Sequence, residues 1–378
     1  MADLTETPRG NRIHIAVFGL RNAGKSTLVN ALVGQPVALV SEVAGTTTDP
    51  VSKAMEIRPL GPCLITDTAG LDDVGTLGEM RVRRTREVLS TADVVLWVAS
   101  SDADDRPYLE AIEAECRRRN VAVLVYHRGE SVDGLKNRIA ALTLGEKPPP
   151  LLAGLVAAGA RVVCVCPIDA SAPMGRLILP QQQVIRACLD VGAFCTVCQP
   201  ETLGAALRGE PPPDLVVTDS QAFAAVRRTI LAVAPTVRLT SFSILFARQK
   251  GNLSEYERGL RALDGLCAGA RVLVAEGCTH HRQCADIGTV KLPKALRKLA
   301  QGELAFSFAS GRDFPLRDSE GREFDLVVQC GGCMLTRREV QERIAVCRRA
   351  NVPIVNYGMV LAAASSIRLV SGSPLVRV

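Results

Sequence analysis

A chain of 378 residues, 47% apolar and 22% charged, can bury the cores of two or three globular domains. Its formal net charge of +6 is mild and spread along the chain, and aromatics make up only 4%, so no nucleic-acid partner is indicated. The polar start Met1–Arg12 has no signal core, the apolar stretch Leu151–Ile168 is broken by Arg161 and glycines, and no membrane partner is expected.

The run Arg12–Gly19 reads as a strand, followed by a loop and the helical pattern Ser26–Val33. Between them, Gly19-Leu-Arg-Asn22-Ala23-Gly24-Lys25-Ser26-Thr27 matches G-x-x-x-x-G-K-[ST] in its required strand–loop–helix setting. The glycines let backbone N–H groups close around phosphates at a helix N-terminus. Lys25 would reach the β/γ-phosphates and Ser26 would ligate Mg²⁺. Gly45-Thr46-Thr47-Thr48-Asp49 follows as a switch, with Thr47 offered to the metal. Asp67-Thr-Ala-Gly70 then supplies a Mg²⁺ aspartate and a γ-phosphate sensor.

Strands at Cys63–Thr66, Val94–Ala99 and Val121–Tyr126 alternate with helices near Gly78–Leu89 and Tyr108–Arg119, the pattern of a mostly parallel α/β sheet. A guanine-reading Asn-Lys-x-Asp should follow Val121–Tyr126, yet His127-Arg128-Gly129-Glu130 stands there. A domain shortened at its guanine-binding end is expected, with weak nucleotide binding and reduced preference for GTP over ATP. Pro148-Pro149-Pro150 marks a boundary.

Beyond it, Arg161-Val-Val-Cys-Val-Cys resembles Arg271-Val-Leu-Val-Ala-Glu, and Asp214-Leu-Val-Val resembles Asp325-Leu-Val-Val, at separations of 53 and 54 residues. Further strands follow at Val237–Phe246 and Val352–Asn356. Two related α/β units are expected, with Cys330 corresponding to Asp219; the alternative is that apolar strands merely look alike. A shared strand order distinguishes the two. Val237–Phe246 is also the expected subunit seam.

Thirteen cysteines without a secretion signal imply a reducing cytoplasm, where thiols bind metal or pack. Cys63, Cys116, Cys188, Cys267 and Cys347 read as packing residues, as does the pair Cys195-Thr-Val-Cys198. Cys278-Thr-His280 and Gln329-Cys330-Gly-Gly-Cys333 differ, because each follows a predicted strand, where open α/β sheets place their ligands. Three thiolates suit an iron–sulfur cluster with one iron left open; Cys278, Cys330, Cys333 and His280 also suit zinc, and ordinary buried thiols are the third reading.

The three nucleotide motifs resemble those of the tRNA-modification GTPase branch. That resemblance implies K⁺ held by Asn22, and Leu71 in place of a glutamine implies slow hydrolysis. The cysteine pattern behind this P-loop resembles the [FeFe]-hydrogenase maturation GTPase family, HydF. So do Ala172-Pro-Met-Gly-Arg-Leu-Ile-Leu-Pro180, Leu215-Val-Val-Thr-Asp-Ser220, Leu239-Thr-Ser-Phe-Ser-Ile-Leu-Phe-Ala-Arg248, Cys278-Thr-His-His281, Asp286-Ile-Gly288 and Cys330-Gly-Gly-Cys-Met-Leu335.

The resemblance implies a scaffold and carrier with a GTPase domain at 1–147, a middle α/β dimerisation domain at 151–262 and a C-terminal iron–sulfur domain at 263–378. It implies a [4Fe-4S] cluster on Cys278, Cys330 and Cys333, with His280 a further candidate ligand. It also implies a transient diiron precursor bearing CO, cyanide and a dithiolate bridge. The implied partners are two radical-SAM maturases, the apo-hydrogenase and a second copy of the chain. Gln329 departs from the pattern, standing where the family has a second histidine; an amide ligates iron poorly, so the fourth iron would stay open to an exogenous group. The competing reading is an RNA-modification or ribosome-assembly GTPase with a structural zinc domain.

Overall fold

The structure, a computed structural model, describes residues 7–34, 51–68, 85, 87–100, 104–143, 150–168, 177–277, 286–311 and 313–377. Contacts divide the chain into two compact units, Met1–Lys147 and Pro148–Val378. Among the described residues no helix is long and apolar enough to cross a membrane.

In the first unit β1 (Ile13–Phe18), β2 (Val51–Ile57), β3 (Gly61–Asp67), β4 (Val94–Val98) and β5 (Ala122–Tyr126) form one sheet in the order β2-β3-β1-β4-β5. All pairs are parallel except β2 with β3, a hairpin that adds an antiparallel edge. β4 is buried at every position, as a central parallel strand with helices on both faces must be. α1 (Lys25–Val33) and α3 (Val132–Thr143) cover one face, and α2 (Arg106–Arg119) packs on the other beside Trp97. Among the described residues of this unit no strand follows β5. The helix expected near Gly78–Leu89 lies mostly outside the described residues.

The second unit holds two four-stranded sheets. β6 (Arg161–Val165), β7 (Phe194–Cys198), β8 (Leu215–Thr218) and β9 (Arg238–Ser241) pair as β7-β6-β8-β9. β10 (Arg271–Ala275), β11 (Ala305–Ala309), β12 (Leu326–Gln329) and β13 (Ile354–Asn356) pair as β11-β10-β12-β13. Every pair is parallel, and the two orders are the same. The register anchors repeat as well. The Arg161 amide donates to Asp214 Oδ2 at 2.8 Å, and the Arg271 amide donates to Asp325 Oδ2 at 2.7 Å. These matches make the two halves structural repeats.

Their connecting helices are α4 (Leu179–Asp190), α5 (Leu203–Leu207), α6 (Phe223–Val233), α7 (Phe242–Lys250), α8 (Leu253–Leu263), α9 (Leu292–Ala300), α10 (Arg337–Arg349) and α11 (Tyr357–Ala364). One hydrophobic core runs through both halves, joining Val163, Val216 and Leu239 to Val274, Val328 and Val355. A second core lies on the other face of the first sheet, around Cys164, Val217 and Phe246. α8 is capped by Asn252, whose side chain accepts the amides of Ser254 and Glu255. It then crosses β13 so closely that a Cβ on Gly259 would collide with the Ile354 carbonyl.

Val237–Phe246, the expected subunit seam, is largely packed within the chain itself. The segment is β9 and the start of α7; Leu239, Phe242 and Phe246 are buried within the chain, and Leu239 bridges Val376. The apolar side chains that face solvent on this sheet belong to the opposite edge strand, β7, where Phe194 is 68% and Val197 45% exposed.

Candidate functional site

The phosphate loop leaves β1 at Gly19, where a Cβ would sit 2.7 Å from the Val98 carbonyl oxygen. Asn22 and Gly24 both have positive φ, which turns the chain sharply into α1 at Lys25. Lys25 curls over this turn, its Nζ donating to the carbonyls of Gly19 (3.1 Å) and Leu20 (2.8 Å). Ser26 Oγ donates to Asp67 Oδ2 at 3.3 Å, so β1 and β3 bring a hydroxyl and a carboxylate together from 41 residues apart. Burial raises the Asp67 carboxyl above its ordinary value, opposed by Lys25 and Ser26, and its Oδ1 has no partner. A hydroxyl, a carboxylate with a free oxygen and a nearby ammonium can hold a divalent cation and a phosphate. Ala23 lies in the loop and Thr27 on the exposed first turn of α1. Thr47 and Gly70 lie outside the described residues.

At the same carboxyl end of the sheet, beyond the edge strand β5, His127–Glu130 closes into a turn. The Glu130 amide donates to the His127 carbonyl, and the His127 amide donates to Glu130 Oε1 at 3.2 Å. Arg138 takes the other carboxylate oxygen. The one acid at this position is spent on its own turn.

The cysteine loop leaves the second repeat. Cys330 follows β12, and its amide donates to the Ala275 carbonyl of neighbouring β10. Its Sγ accepts the Gly277 amide at 3.1 Å, so β10 and β12 release their chains at one sheet end. Gly332 has positive φ, and a Cβ on Gly331 would press on Ser243 of the first repeat. Burial pushes the Cys330 thiol up, while the amides of Gly332 and Gly277 and the charge of Arg343 pull it down. Cys333 is pushed up to about 11 by burial and the neighbouring Cys330, with Lys250 opposing. Cys278 and His280 lie outside the described residues. Among the described residues no group of three His, Cys, Asp or Glu is arranged to hold a metal.

Three features here have no motif. Lys250, at the end of α7, donates to the carbonyls of Gly332, Cys333 and Leu335. Arg343 of α10 lies over the Phe314 ring. Gln329, 1% exposed, has neither amide atom bonded, and the Nδ2 of its register partner Asn356 is also unbonded. The only sequence signal for Lys250 is a lysine ending a largely apolar helix.

Of the cysteines read as packing residues, Cys63, Cys116, Cys188 and Cys347 are buried. Cys267 is exposed, because it follows the end of α8 in a turn and not within the helix. Cys195 lies on β7 with its Sγ 3.7 Å from Cys164 Sγ.

Residues 151–251 match the description "Hydrogen maturase F dimerization domain", and 254–370 match "Hydrogen maturase F tetramerization domain". Residues 14–128 match "50S ribosome-binding GTPase". A tRNA modification GTPase of Beijerinckia indica is 39% identical over 111 residues, covering 28% of this chain and 24% of that protein. The mitochondrial 5-taurinomethyluridine-tRNA synthase subunit of Homo sapiens is 43% identical over 109 residues, 28% of this chain and 22% of that protein. The chain thus spans about a quarter of the length of these relatives. The G domain of the T. maritima FeoB iron transporter is 21% identical over 35% of this chain and 99% of that one, with a TM-score of 0.26.

Proposed function

We propose, for a chain that belongs to the hydrogen maturase F family, that it is the scaffold and carrier of hydrogenase maturation. Its GTPase domain hydrolyses GTP, and its dimerization and tetramerization segments make it a homo-oligomer. The finer reading is ours. Cys278, Cys330 and Cys333 would hold a [4Fe-4S] cluster, with His280 as an accessory ligand. The protein would receive a diiron CO/cyanide/dithiolate precursor from two radical-SAM maturases and deliver it to the apo-hydrogenase in the cytoplasm.

The observation that carries this is the Gly277 amide on Cys330 Sγ. It ties Gly277, the residue that precedes Cys278 in the chain, to the Cys330–Cys333 loop past β12. Backbone N–H groups on a sulfur, two buried cations nearby and the orphaned amide of Gln329 are what a negatively charged metal–thiolate group needs around it. When bound, such a cluster would supply an iron position open to an exogenous ligand. This chain's residues would hold the thiolates, donate to their sulfurs and shield the site from water.

In the nucleotide unit, Ser26, Thr47 and Asp67 would bind Mg²⁺, Asn22 would bind K⁺, and Gly19, Ala23, Gly24, Lys25, Thr27 and Gly70 would surround the phosphates. Weak discrimination of guanine is supported by the closed turn at Glu130, and slow hydrolysis by Leu71 standing where a water-positioning glutamine would be. The nucleotide state would bias partner release by ordering loops around Mg²⁺. We assign 1–147 to the GTPase, 151–262 to dimerisation through the β7 edge, and 263–378 to the cluster.

Anaerobic reconstitution tests this. A brown protein absorbing near 400 nm, with stoichiometric iron and sulfide and an EPR signal altered by imidazole or cyanide, is expected. A colourless protein with one zinc would overturn it in favour of an RNA-modification GTPase with a structural zinc domain.

A further inference from the structure

We infer that Lys250 and Arg343 form a counter-charge site beneath the Cys330–Cys333 loop, built to receive an anionic metal–thiolate group. The inference rests on the carrier reading and adds the residues that neutralise the cargo's anchor.

Lys250 is 3% exposed and Arg343 6%. Each comes from a different helix, α7 in the first repeat and α10 in the second. The Lys250 ammonium donates to three loop carbonyls, at 3.1 Å to Gly332, 3.2 Å to Cys333 and 2.7 Å to Leu335, and stands 5.4 Å from the Phe246 ring centre. Arg343 donates through Nη2 to the Gly311 carbonyl and lies 4.8 Å from the Phe314 ring centre, while its buried Nη1 has no partner. No carboxylate of the described residues makes an ion pair with either. The acid nearest in influence, Glu339, is bonded to the Thr336 amide at 2.7 Å, where it caps α10.

Two buried cations are unfavourable, since taking each out of water costs several kcal/mol, and the one carboxylate that acts on both, Glu339, cannot neutralise two charges. Carbonyl dipoles and ring faces offset part of that cost but bring no net charge. Both stand by the cysteine loop: Lys250 holds the carbonyls of Gly332, Cys333 and Leu335, and beside that geometry its charge favours the Cys333 thiolate as that of Arg343 favours the Cys330 thiolate. A cluster on three thiolates carries net negative charge, and one-electron reduction adds another. The cations therefore compensate the loaded state more than the empty one and the reduced cluster more than the oxidised one. Because Lys250 belongs to the first repeat, loading also strengthens the contact between the repeats.

Lys250→Met keeps the stem and removes the charge; Lys250→Arg keeps the charge; Arg343→Met is an independent second removal. Full-length proteins would be reconstituted anaerobically with iron and sulfide. The readouts are the midpoint potential by EPR-monitored titration, iron loss to a chelator, and the melting temperature of empty and loaded protein. Both charge-removing variants should shift the potential down and lose iron about tenfold faster, as expected when a group around a metal site is lost. Lys250→Arg should restore both. The empty Lys250→Met protein should melt lower than wild type, because three buried carbonyls lose their donor, and the loaded protein should fall by more. Unchanged potential and iron loss in both removals overturns the inference. So does an equal drop in melting temperature of the empty and loaded protein, which would make Lys250 only a loop fastener. A wild-type chain that takes up no iron overturns the carrier reading itself.

Discussion

The amide of Gly277 donates to the sulfur of Cys330 at 3.1 Å, bringing together positions 53 residues apart. This bond fixes the sulfur at the end of β12 against the segment that leaves β10. Serine at Cys330 replaces a soft thiolate with a hard hydroxyl, which iron in a cluster binds poorly. Cys330→Ser, Cys333→Ser and Cys278→Ser should each lower bound iron at least tenfold, by about 1.4 kcal/mol or more. Nucleotide binding should remain. Retained cluster in one of the three would remove that residue from the ligand set.

Lys25→Ala should do the reverse. It removes an ammonium that reaches both loop carbonyls and would donate to phosphate, a charge-assisted bond worth about 1.5–3 kcal/mol. Titration with a fluorescent GTP analogue should show affinity weaker by roughly 10–150-fold, with iron loading unchanged.

Asp67 gives a pH-dependent outcome. Burial raises its folded carboxyl above the ordinary value of 3.8, so the folded protein holds this proton more tightly than the unfolded chain. Its contribution is neutral below the ordinary value and turns destabilising as pH rises through the raised one. Asp67→Asn should therefore raise the melting temperature of the nucleotide-free protein at pH 7, an advantage that fades on acidification. Mg²⁺-dependent nucleotide binding should be lost in the same variant. A lower melting temperature at pH 7 would contradict burial as the dominant influence.

Gly259 meets the Ile354 backbone with no room for a Cβ. Gly259→Ala should force α8 off β13 and destabilise the second unit by about 1–3 kcal/mol, or roughly 2–12 °C by calorimetry. GTP hydrolysis, which belongs to the first unit, should be retained. An unchanged transition would show that the helix shifts freely.

The β7 edge offers a test of the dimer. A lysine on an exposed strand edge opposes pairing with another strand. Val197→Lys should increase the monomer fraction in sedimentation without lowering the melting temperature, since Val197 is 45% exposed in the single chain. An unaltered sedimentation profile would move the interface elsewhere.

Sequence alone determined whatever is carried by contiguous residues under strong backbone rules. The phosphate loop is legible because Gly19, Gly24 and Lys25 must fall at fixed spacing in a turn that tolerates few other residues. The repeat is legible because each half starts a strand with arginine and meets an aspartate 53 or 54 residues on, and those pairs are the register anchors. The Cys330-Gly-Gly-Cys333 loop is legible for the same local reason.

Only the tertiary structure decided which strand edge faces solvent. Val237–Phe246 and the β7 run are both apolar by composition, and the C-terminal bridge at Val376 covers the first. It also decided that Lys250 and Arg343 surround the cysteine loop. Such groups obey no spacing rule: Lys250 is 83 residues from Cys333, and its place there follows from one helix packing between two repeats. Charge compensation depends on distance in space, which the order of residues along the chain does not encode.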